Sequence, residues 1–164
     1  MFKFIFLVLF VSVFSFAKSR VGEWAAYSFI EKTQTSEING EFIKEVVESI
    51  DQKSPTGEVI TMLKVSEKKI ARGKNVEEKF YWSESTNYFN KIELNLYVQL
   101  CRFKASLGNY EKIKIKAGTF SSCKIKDQNN WIGTVPFSTL LYMTQDETTF
   151  RRFELIDYGW KKKK

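Results

Sequence analysis

Histidine is absent from all 164 residues of this chain. Its absence excludes Ser-His-Asp and Cys-His nucleophilic catalysis and removes the most common general base near neutral pH. Histidine metal ligands are excluded as well, and two cysteines alone cannot build a usual structural zinc site. No P-loop or GxGxxG sequence is present, so nucleotide binding by those routes is not indicated. We therefore expect no catalytic residues, no cofactor and no metal, and the sequence predicts a protein that is not an enzyme.

Carboxylates are the remaining groups that could perform acid–base chemistry. Glu77-Glu78 and Asp146-Glu147 are adjacent pairs. Neighbouring residues on a strand point to opposite faces, and carboxylates in loops are usually solvated. A carboxylate hydrolase is therefore a remote alternative.

Long hydrophobic runs are also scarce, and the only one lies at the N-terminus. Residues 4–14 are almost entirely apolar, Lys3 precedes them, and the small residues Ser15 and Ala17 occupy the −3 and −1 positions of a cleavage site. The run is shorter than the roughly 20 apolar residues that a membrane-spanning helix requires. We expect residues 1–17 to be a signal peptide, the mature chain to begin at Lys18 and carry no transmembrane segment, and the protein to be periplasmic or secreted. An uncleaved anchor or a buried core helix is the alternative.

Positive charge is concentrated at the C-terminus. The chain has 26 basic and 19 acidic residues, and four of the basic residues form the run at residues 161–164. A terminal lysine run is usually a solvated tail. Attraction to an anionic membrane is the alternative interpretation. No nucleic-acid-binding motif accompanies the charge, so no nucleic-acid partner is expected.

Short β segments separated by turns fill residues 18–160, which are predicted to form one domain. Residues 24–32, 59–65, 112–116, 120–126, 131–135 and 150–160 have strand character. Residues 92–103 are predicted to be a long strand, because apolar residues alternate from Ile92 to Leu100. Asn39-Gly40 is the strongest hairpin-turn signal, and Pro55 to Gly57 predict a second turn. The polar stretches 67–78 and 83–90 are predicted to be connections.

One segment is ambiguous between helix and strand. Residues 42–50 have a helical apolar face, but their β-branched content and the preceding turn signal favour a strand. Residues 138–145 are the best place for a helix. The predicted fold class is mainly β, a strongly curved antiparallel sheet in the form of a half or incomplete β-barrel, with room for one or two short helices.

Aromatic residues make up 16% of the chain. In a β domain they usually fill the core or form cross-strand pairs. The sharper hypothesis is a ligand cavity that they line. The candidate ligand-binding residues are Trp24, Tyr27, Trp82, Tyr97 and Trp131.

Cys101 and Cys123 are the only cysteines, and both lie in the part expected to be exported. Disulfides persist outside the cytosol, so a structural bridge is favoured over two free thiols. In the predicted strand, however, Cys101 lies on the face opposite Leu100, while Cys123 shares a face with Ile125. A bulge or strand end near Cys101 would reconcile the two.

Four short segments of this sequence resemble motifs that occur together in one family. The VGEWAAY of residues 21–27 resembles the "VGxWxxY" opening of a group of exported bacterial proteins of unknown function. The AGTF of residues 117–120, followed by Cys123, is similar to that group's "AGTF…C-x-V" hairpin. Trp131 with residues 135–137 resembles its "W…VPF" element, and the ELIDYG of residues 154–159 resembles its "ELVDYG" ending.

The resemblance implies a half-barrel like that of the outer-membrane lipoprotein carriers, with an apolar concave face, and residence in the periplasm or at the cell surface. It brings no catalytic residues. The leading hypothesis is a non-catalytic protein that binds an acyl chain or a lipoprotein lipid. The competing hypothesis is a structural or interaction protein of the envelope, with an envelope protein as its partner and a concave face filled by its own side chains.

Export gives the first testable prediction. Intact-mass analysis of the protein recovered from outside the cytosol should give a chain that begins at Lys18 or within a residue or two of it, because signal peptidase cleaves after small residues at −3 and −1. Recovery of the full-length chain from the cytosol would contradict the prediction.

Overall fold

A computed structural model describes residues 20–72 and 74–160. The predicted signal peptide (residues 1–17), Lys18 and the basic tail (residues 161–164) lie outside the described residues. Within the described part, four strands precede the one α-helix and five strands follow it. The elements are β1 (Trp24–Thr33), β2 (Glu37–Lys53), β3 (Val59–Ala71), β4 (Lys74–Glu84), a short 3-10 helix (Ser85–Asn87), α1 (Lys91–Phe103), β5 (Gly108–Ile115), β6 (Gly118–Ile125), β7 (Asn130–Ile132), β8 (Thr139–Gln145) and β9 (Thr149–Gly159).

All strand pairs in the sheet are antiparallel, and the strand order is β4-β3-β2-β1-β9-β8-β7-β6-β5. Strands β1 to β4 form one meander and β5 to β9 form another, and the pairing of β1 with β9 joins the two. The sheet does not close, because β4 and β5 are its two edges. This mainly β, open sheet confirms the predicted fold class of an incomplete barrel.

The core lies where the two meanders meet. Its members are buried apolar side chains from β1, β5, β7, β8, β9 and the loop before β8. They are Ala25, Tyr27, Ile115, Trp131, Val135, Leu140 and Leu155. Because β1 and β9 contribute to the same cluster, burial of apolar area holds the N-terminal and C-terminal meanders together.

The predicted strand at residues 92–103 is wrong, because this segment forms α1. Asn90 is its N-cap: its side-chain oxygen accepts the backbone N–H of Ile92 at 2.9 Å and that of Glu93 at 3.0 Å. The Glu93 carboxylate in turn accepts the backbone N–H of Asn90 at 2.7 Å, which completes a capping box. Leu94, Val98 and Cys101 are the buried residues of this helix. The alternation of apolar residues therefore reflects two opposite helical faces rather than one face of a strand.

The predicted hairpin at Asn39-Gly40 is also wrong. Both residues lie inside β2, and the β1–β2 turn falls earlier, where the Thr33 N–H donates to the Ser36 carbonyl at 2.8 Å. Gly40 is needed for a different reason. A Cβ at this position would lie 2.0 Å from the Ile70 carbonyl oxygen and 3.0 Å from the Phe29 ring. Glycine here permits close packing within the sheet rather than a turn.

Two further predictions of local structure are corrected. Residues 67–78, expected to be a connection, continue β3 to Ala71 and begin β4 at Lys74, because their charged side chains lie on a sheet face and pair across strands. The Lys44–Glu67 ion pair, at 2.6 Å, is one example. Residues 138–145, expected to be helical, contain β8 instead. The strand preferred for residues 42–50 is confirmed as part of β2.

Cys101 and Cys123 form a disulfide that links α1 to β6, with Cα atoms 5.8 Å apart. The predicted bridge is therefore present, although it joins a helix to a strand rather than two strands. The helix also removes the conflict of faces. Cys101 lies seven residues after Leu94, so both belong to the buried helical face.

Gly40→Ala gives a test of the close packing in β2. The added Cβ would meet backbone atoms that cannot move without disturbing the β2–β3 ladder, so we expect a loss of at least about 2 kcal/mol in the free energy of unfolding, on the scale of overpacking. Urea denaturation measures the loss. Gly57→Ala is the control, because a Cβ there meets nothing within 4 Å and only its positive φ of 86° opposes the change. An equal or larger loss for Gly57→Ala would contradict the packing argument.

Removal of the disulfide gives a second stability test. Cys101 and Cys123 are 22 residues apart in sequence. Opening a loop of this size should lower the free energy of unfolding by about 3 kcal/mol on the chain-entropy account. Urea denaturation measures the free energy of unfolding of the Cys101→Ala/Cys123→Ala variant, of the reduced native protein and of the oxidised native protein. The first two should be less stable than the third. Two alkylatable thiols in folded, unreduced protein would show that the bridge does not form.

Candidate functional site

A pocket of about 320 Å³ lies on one face of the sheet, across the junction of the two meanders. Strands β1 and β2 supply one side of it, and β7, β8, β9 and the loop before β8 supply the other. Its lining is mostly aromatic, with a few polar groups. The lining residues are Tyr27, Phe42, Lys44, Asn130, Phe137, Thr139, Tyr142 and Phe153. We refer to this cavity as the seam pocket.

Cross-strand pairing places the aromatic rings of the seam pocket side by side. Tyr27 pairs with Phe42 between β1 and β2, and Tyr142 pairs with Phe153 between β8 and β9. Phe42 meets Phe153 edge to face across the junction, with ring centroids 5.7 Å apart. The result is a continuous aromatic wall that offers a ligand dispersion contacts and apolar area.

One end of the seam pocket is polar. Lys44 Nζ lies 2.6 Å from Glu67 Oε1 and 5.6 Å from the centre of the Phe42 ring. The Tyr81 hydroxyl donates to Glu67 at 2.9 Å and lies 3.3 Å from the hydroxyl of Tyr88. The ammonium group is therefore held by a carboxylate on one side and by aromatic faces on the other, which fixes an ion pair at the edge of an apolar surface.

Asn130 adds an acceptor without a partner. Its side-chain oxygen is buried and accepts no hydrogen bond from the described residues. A buried acceptor that is left unsatisfied costs about 1–3 kcal/mol. Asn130 lines the seam pocket and pairs with Tyr142 across β7 and β8, but this oxygen itself is closed to solvent.

The loop before β8 holds Phe137 in an uncommon conformation. Phe137 and Ser138 have φ values of 61° and 63°, although neither is glycine. The turn is closed by hydrogen bonds from the Ser138 N–H to the Val135 carbonyl at 3.0 Å and from the Gly133 N–H to the Ser138 carbonyl at 2.8 Å. Left-handed backbone costs about 1–3 kcal/mol at such residues and is found most often at functional sites. Here it presents the Phe137 ring to the pocket, edge to face with Tyr88 at 5.6 Å.

Only one of the five candidate ligand-binding residues predicted from sequence, Tyr27, lines the seam pocket. Trp82 pairs with Lys64, which lies three residues from Glu67 along β3, so its side chain points to the other face of the sheet. Trp24 packs against the end of β9, where a Cβ on Gly159 would meet its indole nitrogen at 2.3 Å.

Trp131 and Tyr97 do not line the pocket either. Trp131 is buried in the core, and its indole N–H donates to the Glu111 carboxylate. Tyr97 lies in α1 and stacks on Phe89, with centroids 6.1 Å apart. The structure therefore does not bring the five predicted residues together.

Sequence reasoning missed most of the lining. The residues it did not propose are Phe42, Lys44, Asn130, Phe137, Thr139, Tyr142 and Phe153. Phe137 could have been proposed from the sequence, because it belongs to the VPF segment (residues 135–137) on which the family resemblance partly rests. For the others, the two sides of the pocket meet only through the pairing of β1 with β9, which links segments more than a hundred residues apart and leaves no local pattern.

Comparisons with known proteins add no assignment: neither models of protein families, nor curated proteins, nor solved structures give a match. The resemblance to the family of exported half-barrel proteins stays a prediction.

Within residues 20–72 and 74–160, no helix is long and apolar enough to cross a membrane. The same residues contain no cluster of three or more acidic or cysteine side chains suited to a metal ion.

Burial raises the pKa of Tyr27 well above its usual range. Burial also raises the pKa of Tyr81, with further contributions from its hydrogen bonds to Tyr88 and Glu67. Both phenols are therefore held neutral in the folded protein where unfolded tyrosine, with a pKa of about 10, would ionise.

This difference predicts alkaline destabilisation. Above about pH 10 the unfolded chain loses phenolic protons that the folded chain retains, so the free energy of unfolding should fall as the pH rises. Tyr27→Phe removes one such group and should make the fall shallower. Urea denaturation of both proteins across that pH range checks the slope. Parallel curves for the two proteins would show that the Tyr27 phenol does not contribute.

Proposed function

We propose that this protein is a non-catalytic binding protein of the extracytoplasmic space, and that the seam pocket holds an apolar ligand such as an acyl chain or the lipid of a lipoprotein. The observation that carries the proposal is the aromatic wall formed by Tyr27, Phe42, Phe153 and Tyr142 across the two meanders. Small-molecule sites are typically concave and apolar, with a few polar groups that fix orientation. The seam pocket has this composition.

The size of the pocket suits part of an apolar chain. Ligand pockets usually measure about 300–1,000 Å³, and the seam pocket, at about 320 Å³, lies at the lower end of that range. A single chain or a chain end is therefore a better match than a bulky, branched lipid. Half-exposed Tyr142 lies at the rim, so the remainder of a longer ligand could extend into solvent.

The polar groups suggest how such a ligand would be oriented. Lys44 and Glu67 lie together at one end of the pocket. A ligand with a polar group next to its apolar part could place that group beside the Lys44–Glu67 pair, while its chain covers Phe42 and Phe153. The amide-linked acyl chain of a lipoprotein has this combination of groups.

The disulfide supports a role outside the cytosol. Disulfides persist in oxidising compartments and are rare in the cytosol, where thiols are kept reduced. The Cys101–Cys123 bridge thus agrees with the export expected from residues 1–17.

Binding of a fluorescent fatty acid tests the proposal. Phe42→Ala and Tyr142→Ala should each weaken binding roughly tenfold, because each removes about 1.5 kcal/mol or more of apolar contact. Phe80→Ala is the matched control, since Phe80 is an exposed aromatic of β4 on the opposite face of the sheet, and it should bind as the native protein does. Equal binding by the native protein and all three variants would show that the seam pocket is not the binding site.

Native mass spectrometry of protein purified from its own compartment should also show a bound lipid. A clean apo mass, together with no uptake of the fatty acid, would favour the alternative of an envelope protein that acts through its surface.

A further inference from the structure

Helix α1 is apolar on two opposite faces. Leu94, Val98 and Cys101 are buried, and the disulfide fixes that side to β6. The other side also carries large apolar residues, which are exposed: Ile92 by 81%, Leu96 by 58%, Leu100 by 37% and Phe103 by 78%. We call these four residues the outer face of α1.

The outer face is a continuous stripe. At 3.6 residues per turn, its four residues fall within an arc of about 80°, opposite the buried side. A surface helix of a globular protein normally has charged and polar residues in that position. Contiguous apolar surface of this kind marks an interaction site rather than chance exposure.

Basic residues outnumber acidic residues in and beside α1. Lys91, Arg102 and the C-cap residue Lys104 are basic, and the Arg102 guanidinium lies 5.6 Å from the centre of the Tyr110 ring of β5. Glu93 is the one acidic residue of the helix, and its carboxylate is engaged in the capping box with the Asn90 N–H. The segment from Lys91 to Lys104, with three basic residues and one acidic residue, is therefore net positive.

We propose that the outer face of α1 docks the protein on the anionic surface of a lipid bilayer. An exposed apolar stripe on a net basic helical segment is the pattern of a helix that lies in the plane of the membrane interface. The apolar side chains enter the boundary between headgroups and acyl chains, while the long basic side chains reach anionic headgroups. Charge complementarity therefore selects a negatively charged bilayer as the occupant of this face.

The fold prepares the helix for this role. Many interfacial helices become ordered only on binding, at an entropic cost. Here the capping box, the buried side of α1 and the Cys101–Cys123 bridge hold the helix in place before any contact with lipid. The outer face is presented on a rigid base, so the apolar contact is not offset by the cost of folding.

Flotation with vesicles tests the proposal on the disulfide-bonded chain that begins at Lys18. We expect binding to phosphatidylcholine vesicles that contain phosphatidylglycerol, weaker binding to phosphatidylcholine alone, and a fall with added salt, because screening shortens the reach of exposed charges to about 10 Å at 0.1 M. Absence of binding to the anionic vesicles at low salt would overturn the proposal.

Substitution of the outer face isolates its contribution. The variant Ile92→Gln/Leu96→Gln/Phe103→Gln should bind anionic vesicles at least about tenfold more weakly, because three side chains lose their contact with the acyl region. The control is Val59→Gln/Val76→Gln/Phe80→Gln, three residues of the sheet that are 65%, 61% and 57% exposed. Equal losses in the two variants would contradict a docking role for α1.

Lys91→Gln/Lys104→Gln gives an independent variant that leaves the apolar stripe intact. Each lysine near an anionic surface strengthens binding by about fivefold, so this variant should bind anionic vesicles more weakly and neutral vesicles as the native protein does. Unchanged binding to anionic vesicles would contradict the proposed charge complementarity.

Two competing occupants remain as outcomes of the same experiment. If binding needs residues 161–164 and ignores the substitutions in α1, the lysine tail docks the protein and the proposal is wrong. If the protein ignores vesicles but dimerises in analytical ultracentrifugation, and the outer-face variant does not, the face is a contact between two copies and the proposal is equally wrong.

Discussion

The antiparallel pairing of β1 with β9 is the interaction on which the rest of the structure depends. Each meander pairs internally through neighbouring strands, but β1 and β9 are separated by almost the whole described chain and are the only point at which the two meanders share a ladder. Their register runs from Trp24 opposite Gly159 to Thr33 opposite Thr149, with one irregularity next to Tyr27. The buried core cluster forms along this junction, so its apolar area can be removed from water only after the ends of the chain have met. Non-local pairing of this kind is characteristic of slow-folding β proteins.

The same junction explains why the fold was easier to predict than the site. Strand patterns such as residues 112–116 and turn residues such as Gly57 are local, and they indicated a mainly β chain with an antiparallel sheet. The seam pocket is not local. Phe42 and Phe153 contact each other only because β2, β1 and β9 lie side by side, and nothing near either residue in the sequence records that order. The high aromatic content of the chain suggested Trp82 and Trp131 as ligand-binding residues, whereas position across the junction decides which rings line the cavity.

Residues 92–103 show a different kind of failure. Their alternation suggested a strand, and the competing signal was an N-cap: Asn90 followed three residues later by Glu93. That signal has a direct physical basis, because two side chains satisfy backbone N–H groups that a helix start leaves without partners. A helix that is apolar on two faces mimics a strand in any count of alternation, so capping residues carry more information than periodicity in such a segment. The turn predicted at Gly40 was wrong for a related reason. Glycine permits a tight turn, but it also permits the close approach of a neighbouring strand, and here it does the second.

The disulfide has a consequence for cleavage of the chain. Cys101 and Cys123 enclose the end of α1, the loop that follows it and all of the edge strand β5 within one covalent ring. A protease that cuts anywhere inside this ring produces two polypeptides that remain joined through sulfur, and β5 stays beside β6. The opposite edge strand, β4, lies outside the ring. A single cut between Cys101 and Cys123 therefore leaves α1 covalently attached to the sheet. A cut in β4, at the other edge of the sheet, has no such covalent link across it.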